Sequence, residues 1–280
     1  MNNINIILNS SHYDSTRKVF AYRLPFNEEF HNKKVGITYV SIYKQFENIK
    51  AEYNNNIITF TWIDDTVYTF TIPEGNYSIT QINEYFQLMM VQNKLYCNLT
   101  DGGSNILSIV LFAELLENPT QYSAQINLFT VPDSASATTL NYILPTGATW
   151  VFPQSTISPT MTFNNAFGSL IGFTAGEYGN SATTVSLNSD ITPQMAIVNT
   201  LLIRCNLVNT LLTNPSDVLG AMDLNGDYGS LLVKNIGQIL YSNVSSNNFN
   251  EIFVYFSDQN FNKLSIKDTS VSIQLSIVDI

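Results

Sequence analysis

SVSIQLSI, residues Ser270–Ile277, alternates polar and apolar side chains at every step. Val271, Ile273, Leu275 and Ile277 fall on one face, and Ser270, Ser272, Gln274 and Ser276 on the other. A period of two marks a half-buried β-strand. The same pattern fills the last third of the chain, in NTLLIRCNLV at Asn199–Val208 and EIFVYF at Glu251–Phe256. It continues to the last residue, which predicts a C-terminus paired within a sheet.

The front of the chain reads the same way. Ile4, Ile6 and Leu8 predict a short first strand, and Ser10–Thr16 a polar turn. Val19–Leu24 predicts a second strand stopped by Pro25. A loop of mixed charge, Phe26–Lys34, leads to a third strand at Val35–Tyr43 (VGITYVSIY). About three strands before Tyr53 and five after Asp190 point to sandwich or jelly-roll architecture.

The middle is different. Ile57–Trp62 and Thr66–Ile72 flank Asp64–Asp65 as a hairpin, and Pro73-Glu74-Gly75-Asn76 is a turn. Ser78 and Gln81 form a capping box that opens a helix. Its stripe of Ile79, Ile82, Phe86, Met89 and Met90 reads as a core face. Further strands are expected at Leu95–Leu99, Ile106–Phe112, Ala124–Val131 and Thr149–Phe152, with loops at Asp101–Ser104 and Pro132–Thr139. Asn164 caps a short helix over Ala166–Ile171, ended by Gly172. Gly176–Thr184 reads as a flexible linker back to the final third.

Composition limits what such a protein does. The 280 residues are 45% hydrophobic and only 12% charged, with a net charge of −10. That is the balance of a packed protein, not a disordered one. Three arginines, Arg17, Arg23 and Arg204, leave no basic surface of the size that general nucleic-acid binding needs. The negative charge is concentrated: residues 1–53 sum to +2, residues 54–189 to −8 and residues 190–280 to −4. No run is long enough to span a membrane. The first residues, MNNINIILNSSHYD, lack the basic and apolar regions of a signal peptide. Cys97 and Cys205, far apart in sequence, are expected as two buried free thiols.

Chemistry-bearing patterns are few. His12 and His31 both fall in early polar loops, whereas a metal-dependent jelly roll needs histidine and carboxylate ligands on facing strands. Cys205 lies inside an apolar strand, where packing outweighs nucleophilic use. Asp223-Leu224-Asn225-Gly226-Asp227 has the start of a calcium loop, but Tyr228 stands where glycine is required and Lys234 where glutamate is. It reads as a turn. The Asp64 and Asp65 carboxylates are expected in solvent. No catalytic, cofactor or metal residue is assigned.

The order of segments resembles a known family. The loop LPFNEEFHNKK (Leu24–Lys34) leads into Val35–Tyr43, followed by FTIPEGNYSITQIN (Phe70–Asn83) and FGSLIGF (Phe167–Phe173). LLIRCNLV (Leu201–Val208) and EIFVYFSDQNFNKLSIKD (Glu251–Asp268) complete the series. This succession, over nearly the whole chain, resembles the penton, or minor capsid, proteins of virophages and related polinton-like DNA viruses. The resemblance implies a pentameric vertex subunit in a virion, a homopentamer set among major capsid proteins, with one jelly roll and an insertion projecting outward. It implies no catalysis and no cofactor. Some vertex proteins of related viruses carry an Arg-Gly-Asp loop, but here no arginine precedes a glycine.

The expected fold is therefore all-β with one or two short helices. Met1–Tyr53 and Asp190–Ile280 would form a discontinuous jelly-roll base, with Asn54–Ser189 as a second, β-rich domain inserted into it. The alternative function is a viral fibre head or carbohydrate-binding module that stacks sugars on Trp62 or Trp150. A double-jelly-roll major capsid protein needs about sixteen strands, more than this chain supplies beside its helices.

Overall fold

The computed structural model describes residues 4–209, 214–245 and 247–279. Ile280, which closes the alternating pattern, lies outside them. The chain divides into two compact units, Met1–Phe46 with Val198–Ile280, and Glu47–Ile197.

Four strands open the chain: β1 (Ile4–Asn9), β2 (Tyr13–Asp14), β3 (Val19–Glu29) and β4 (Lys33–Tyr43). The Ser10–Thr16 segment holds a 3-10 turn at Ser10–His12, then β2. Pro25 does not stop the second long strand, and most of the expected loop after it is strand. β3 runs on to Glu29 because its ladder with a later strand shifts register between Arg23 and Glu28. Pro25 sits in that bulge, where its missing N–H costs no ladder bond.

The unit Glu47–Ile197 comes next. β5 (Ile57–Thr61) and β6 (Val67–Thr71) pair as a hairpin around Asp64–Asp65. α1 (Ile79–Gln92) starts at its capping box, with the Gln81 N–H donating to Ser78 Oγ (3.2 Å) and the Ser78 N–H to Gln81 Oε1 (2.9 Å). Its Ile79, Ile82, Phe86 and Met90 are buried, with Met89 partly so. β7 (Cys97–Thr100), β8 (Ile106–Val110), β9 (Ala113–Asn118) and β10 (Ser123–Leu128) follow.

α2 (Ser134–Thr139) forms where a loop was expected, because Asp133 accepts the Ser136 N–H at 2.9 Å and caps it. After β11 (Tyr142–Ile143), the expected strand Thr149–Phe152 is absent. That stretch is irregular, and it is anchored by the buried Trp150 ring rather than by a ladder. β12 (Thr160–Phe163) leads to α3 (Asn165–Ile171), capped by Asn164 and ended by Gly172 at φ 85°. β13 (Gly176–Gly179) and β14 (Val185–Asn188) close the unit. The expected linker thus contains β13, which pairs with β12. Three sheets result, ordered β14-β10-β9, β11-β7-β8 and β13-β12-β5-β6.

Six strands complete the first unit: β15 (Thr200–Cys205), β16 (Val218–Asp223), β17 (Leu231–Asn235), β18 (Ser242–Asn243), β19 (Asn248–Ser257) and β20 (Ser272–Asp279). They share two sheets with the opening strands. One is ordered β1-β20-β4-β17, with β18 also on β4, and the other β16-β15-β19-β3-β2. Without the two-residue strands, each sheet has four, and the chain crosses between sheets as a jelly roll does. The first strand pairs with the last, Ile4 opposite Ile277 and Asn9 opposite Ser272. The alternation read in SVSIQLSI holds, with Ile273, Leu275 and Ile277 fully buried. They join Leu8, Val40, Ile203 and Val254 in a core built only from this unit, while α1 and the tryptophans belong to a separate core.

Candidate functional site

The residues that carry chemistry are dispersed. His12 lies in the 3-10 turn, where its Nδ1 accepts the Asn9 N–H at 3.3 Å and completes a cap. His31 is exposed between β3 and β4 and pairs with Glu29 at 2.7 Å. Cys205 and Cys97 are free thiols, each buried in its own unit's core, and burial pushes both up to about 12. Neither forms a thiolate at neutral pH. Asp64 accepts the Thr66 N–H in the exposed hairpin turn, and Asp65 takes the positive φ the turn requires. Asp223 ends β16, Leu224–Asp227 belong to the connection to β17, and the Lys44 ammonium bonds the Gly226 carbonyl at 2.7 Å. Among the described residues, no three His, Cys, Asp or Glu side chains form a metal-holding group, and no helix is long and apolar enough to cross a membrane.

The tryptophans are packed, not displayed. Trp62 and Trp150 are 1% and 3% exposed, with ring centroids 5.0 Å apart at 72°. Trp150 Nε1 donates to the Lys94 carbonyl at 2.7 Å. Neither ring offers a face to a sugar, which removes the residues on which a carbohydrate-binding reading rested.

Polar structure concentrates on the outer face of the β16-β15-β19-β3 sheet, where all three arginines lie. The Arg17 guanidinium makes two bonds to the Glu251 carboxylate (3.1 and 2.7 Å) and sits 5.5 Å from the Phe253 ring centre. Arg204 donates twice to Asp217 Oδ1 (2.8 and 2.6 Å) and lies 4.9 Å from the Tyr255 ring centre. The Tyr255 hydroxyl donates to Asp217 Oδ2 at 2.6 Å, and the Lys263 ammonium lies 4.3 Å from the centre of the same ring. Arg23 pairs across the ladder with Glu251. The arginine bond holds the Glu251 carboxyl below its ordinary range, while burial and the Asp217 bond push the Tyr255 phenol up to about 12. Alternation along β19 was legible in sequence, but the partners Arg17, Asp217 and Lys263 come from other segments, and no local signal marks them.

The remaining features are apolar: an open cleft of about 510 Å³ in the Glu47–Ile197 unit, lined by Val110, Phe112, Phe129, Leu140 and Tyr142 among others, and two clefts at the lateral edges of the jelly roll. Between β1 and β3 the sandwich opens into a cleft of about 290 Å³, lined by Ile4, Ile7, Tyr22, Leu24 and Glu28 among others. Beside it Phe26 is 76% exposed. At the opposite edge, between β16 and β17, a cleft of about 240 Å³ is lined by Ile203, Leu219, Ile236, Leu240 and Lys234. There Leu240 is 79% exposed.

No protein-family model matches this sequence, and no curated protein matches it. Solved structures do. The mavirus penton protein is similar over 99% of this chain and 97% of its own, at 10% identity and a TM-score of 0.45. A chain in the cryo-electron microscopy structure of the Sputnik virophage is similar over 99% of this chain and 97% of its own, at 10% identity and a TM-score of 0.42.

Proposed function

We propose that this chain is a structural subunit of an icosahedral DNA-virus capsid, a penton that closes the vertices as a homopentamer. The observation that carries the reading is a single jelly roll interrupted between its third and fourth long strands by a separately cored unit. That is the organisation implied by the sequence resemblance to virophage and polinton-like pentons. The jelly roll would form the base that meets neighbouring pentons and major capsid proteins, and Glu47–Ile197 the part displayed outward on the virion. Its acidity suits a solvated surface, since charge is depleted where interfaces are buried. The work is mechanical, with no reaction and no cofactor. The acidic balance argues against a role in gathering nucleic acid.

The purified full-length chain, measured by native mass spectrometry and imaged by negative stain, is expected to give five-membered rings. A trimer as the largest species would overturn the reading and point to a major-capsid type of assembly. The carbohydrate-binding alternative predicts sugar binding that is lost in Trp62→Ala. With both indoles buried, no such binding is expected on a glycan array.

A further inference from the structure

Sheet edges are liabilities. An unpaired strand exposes donors and acceptors that template association, and monomeric proteins blunt such edges with charges, prolines or cover. β1 does neither. Its sequence, INIILN, carries no charge and no proline, and among the described residues its only ladder partner is β20. β2 covers only Val19 and Phe20 of β3, so the β3 segment that lines the cleft is open as well. On the far side β16 and β17 are the last strands of their sheets, with Leu231 and Val233 about half exposed. Each edge therefore combines an apolar cleft with a protruding side chain, Phe26 on one and Leu240 on the other.

The charged residues that line the two clefts have opposite signs. Lys234 is half-buried in the β16/β17 cleft, and its ammonium donates to the Ala221 carbonyl. Glu28 lines the β1/β3 cleft. Neither forms an ion pair among the described residues. A half-buried ammonium without a carboxylate is costly unless a partner supplies one.

We propose that these two edges dock on each other between neighbouring copies of this chain. The β1/β3 edge of one copy, with Phe26 and Glu28, seats against the β16/β17 edge of the next, with Leu240 and Lys234. The two surfaces differ, so the contact is heterologous and repeats head to tail, as a closed ring requires. This pairing rests on the pentameric reading and names the surfaces that would build it.

The test uses the full chain. Glu28→Lys and Lys234→Glu each raise the concentration for half-assembly about tenfold or more, the scale of losing one central interface contact. The double exchange restores assembly, because it only inverts the pair. Phe26→Ser and Leu240→Ser weaken assembly similarly while leaving the far-ultraviolet circular dichroism unchanged, since both side chains are mostly in solvent. In a chain carrying Phe26→Cys and Leu240→Cys, a short bismaleimide gives a ladder ending at five, and each single-cysteine chain stays unlinked. Capture by crosslinking keeps the test decisive even where rings dissociate on dilution. Rings of five that ignore both charge reversals and give no ladder overturn the edge pairing and leave the pentamer standing. A ladder that closes at another number overturns the pentamer and leaves the edges. Monomer alone after crosslinking overturns the edge pairing.

Discussion

Tyr255 gathers an aspartate, an arginine and a lysine around one ring, and its titration is a direct probe of the outer sheet face. Its phenol is pushed up to about 12 from an ordinary value of 10, first by burial and then by its bond to Asp217. A folded-state pKa above the unfolded one means stability that is complete below pH 10 and lost as pH rises toward about 12. The buried thiols of Cys97 and Cys205 act in the same direction, from 9 to about 12. The denaturation midpoint is therefore expected to fall between pH 9 and 12, and Tyr255→Phe to flatten the part above pH 10. At neutral pH the same variant loses one hydrogen bond, about 1 kcal/mol, because Arg204 still satisfies Asp217. An alkaline limb of equal steepness in the variant would contradict this account. Native protein should also leave Ellman's reagent unreacted at neutral pH and show both thiols only on unfolding.

At the scale of elements, local chemistry was readable and long-range pairing was not. The Ser78–Gln81 box and the Asn164 cap work through residues three positions apart, so the sequence alone marks α1 and α3. The alternation in Val35–Tyr43 and Ser270–Ile277 needs only that one face be buried. By contrast, Pro25 looks like a stop until the β19 ladder shows that a bulge surrounds it. α2 is not legible because SASATT is a poor helix former, and its Asp133 cap sits in a stretch with the composition of a loop. β9 (AELLEN) hides because its glutamates face solvent or Asn127, whose side-chain amide donates to Glu114 at 2.8 Å. Trp150 made Thr149–Phe152 look like a strand, although it is only an anchor. For the candidate site, β1 and the first half of β3 are legible as alternating strands, whereas β16 and β17 are not singled out by the sequence, and no local signal says which strands end a sheet. Placement of Pro25 leads to a contrast. Pro25→Ala should change stability by less than about 0.5 kcal/mol, as at other sites free of special constraints. Tyr22→Pro, opposite Ile252 in the ladder and with its N–H turned toward β19, should cost roughly 3 kcal/mol or more. Equal effects in urea denaturation would mean the bulge is not where the structure puts it.

At the scale of the molecule, the front and back of the chain meet as neighbours, β1 on β20 and β3 on β19, and form a hydrophobic core that takes no residue from Glu47–Ile197. The intervening unit has its own core, built on Phe60, Phe86, Trp62 and Trp150. A cooperative transition reflects the loss of one continuous core, so two cores predict two calorimetric transitions where a single-core protein of this size gives one. Substitutions assign them. Leu275→Ala deletes a fully buried side chain at the centre of the jelly roll and should lower only one transition, by the 2–5 kcal/mol typical of such truncations. Phe86→Ala, equally buried under α1, should lower only the other, by about 3–5 kcal/mol. The assignment can be read separately by fluorescence, because both tryptophans, Trp62 and Trp150, lie in the inserted unit. Indole emission should follow the transition that Phe86→Ala moves and ignore the one that Leu275→Ala moves. If either variant shifts both transitions together, the units unfold as one body, and the inserted unit is no longer an independent passenger on the jelly roll.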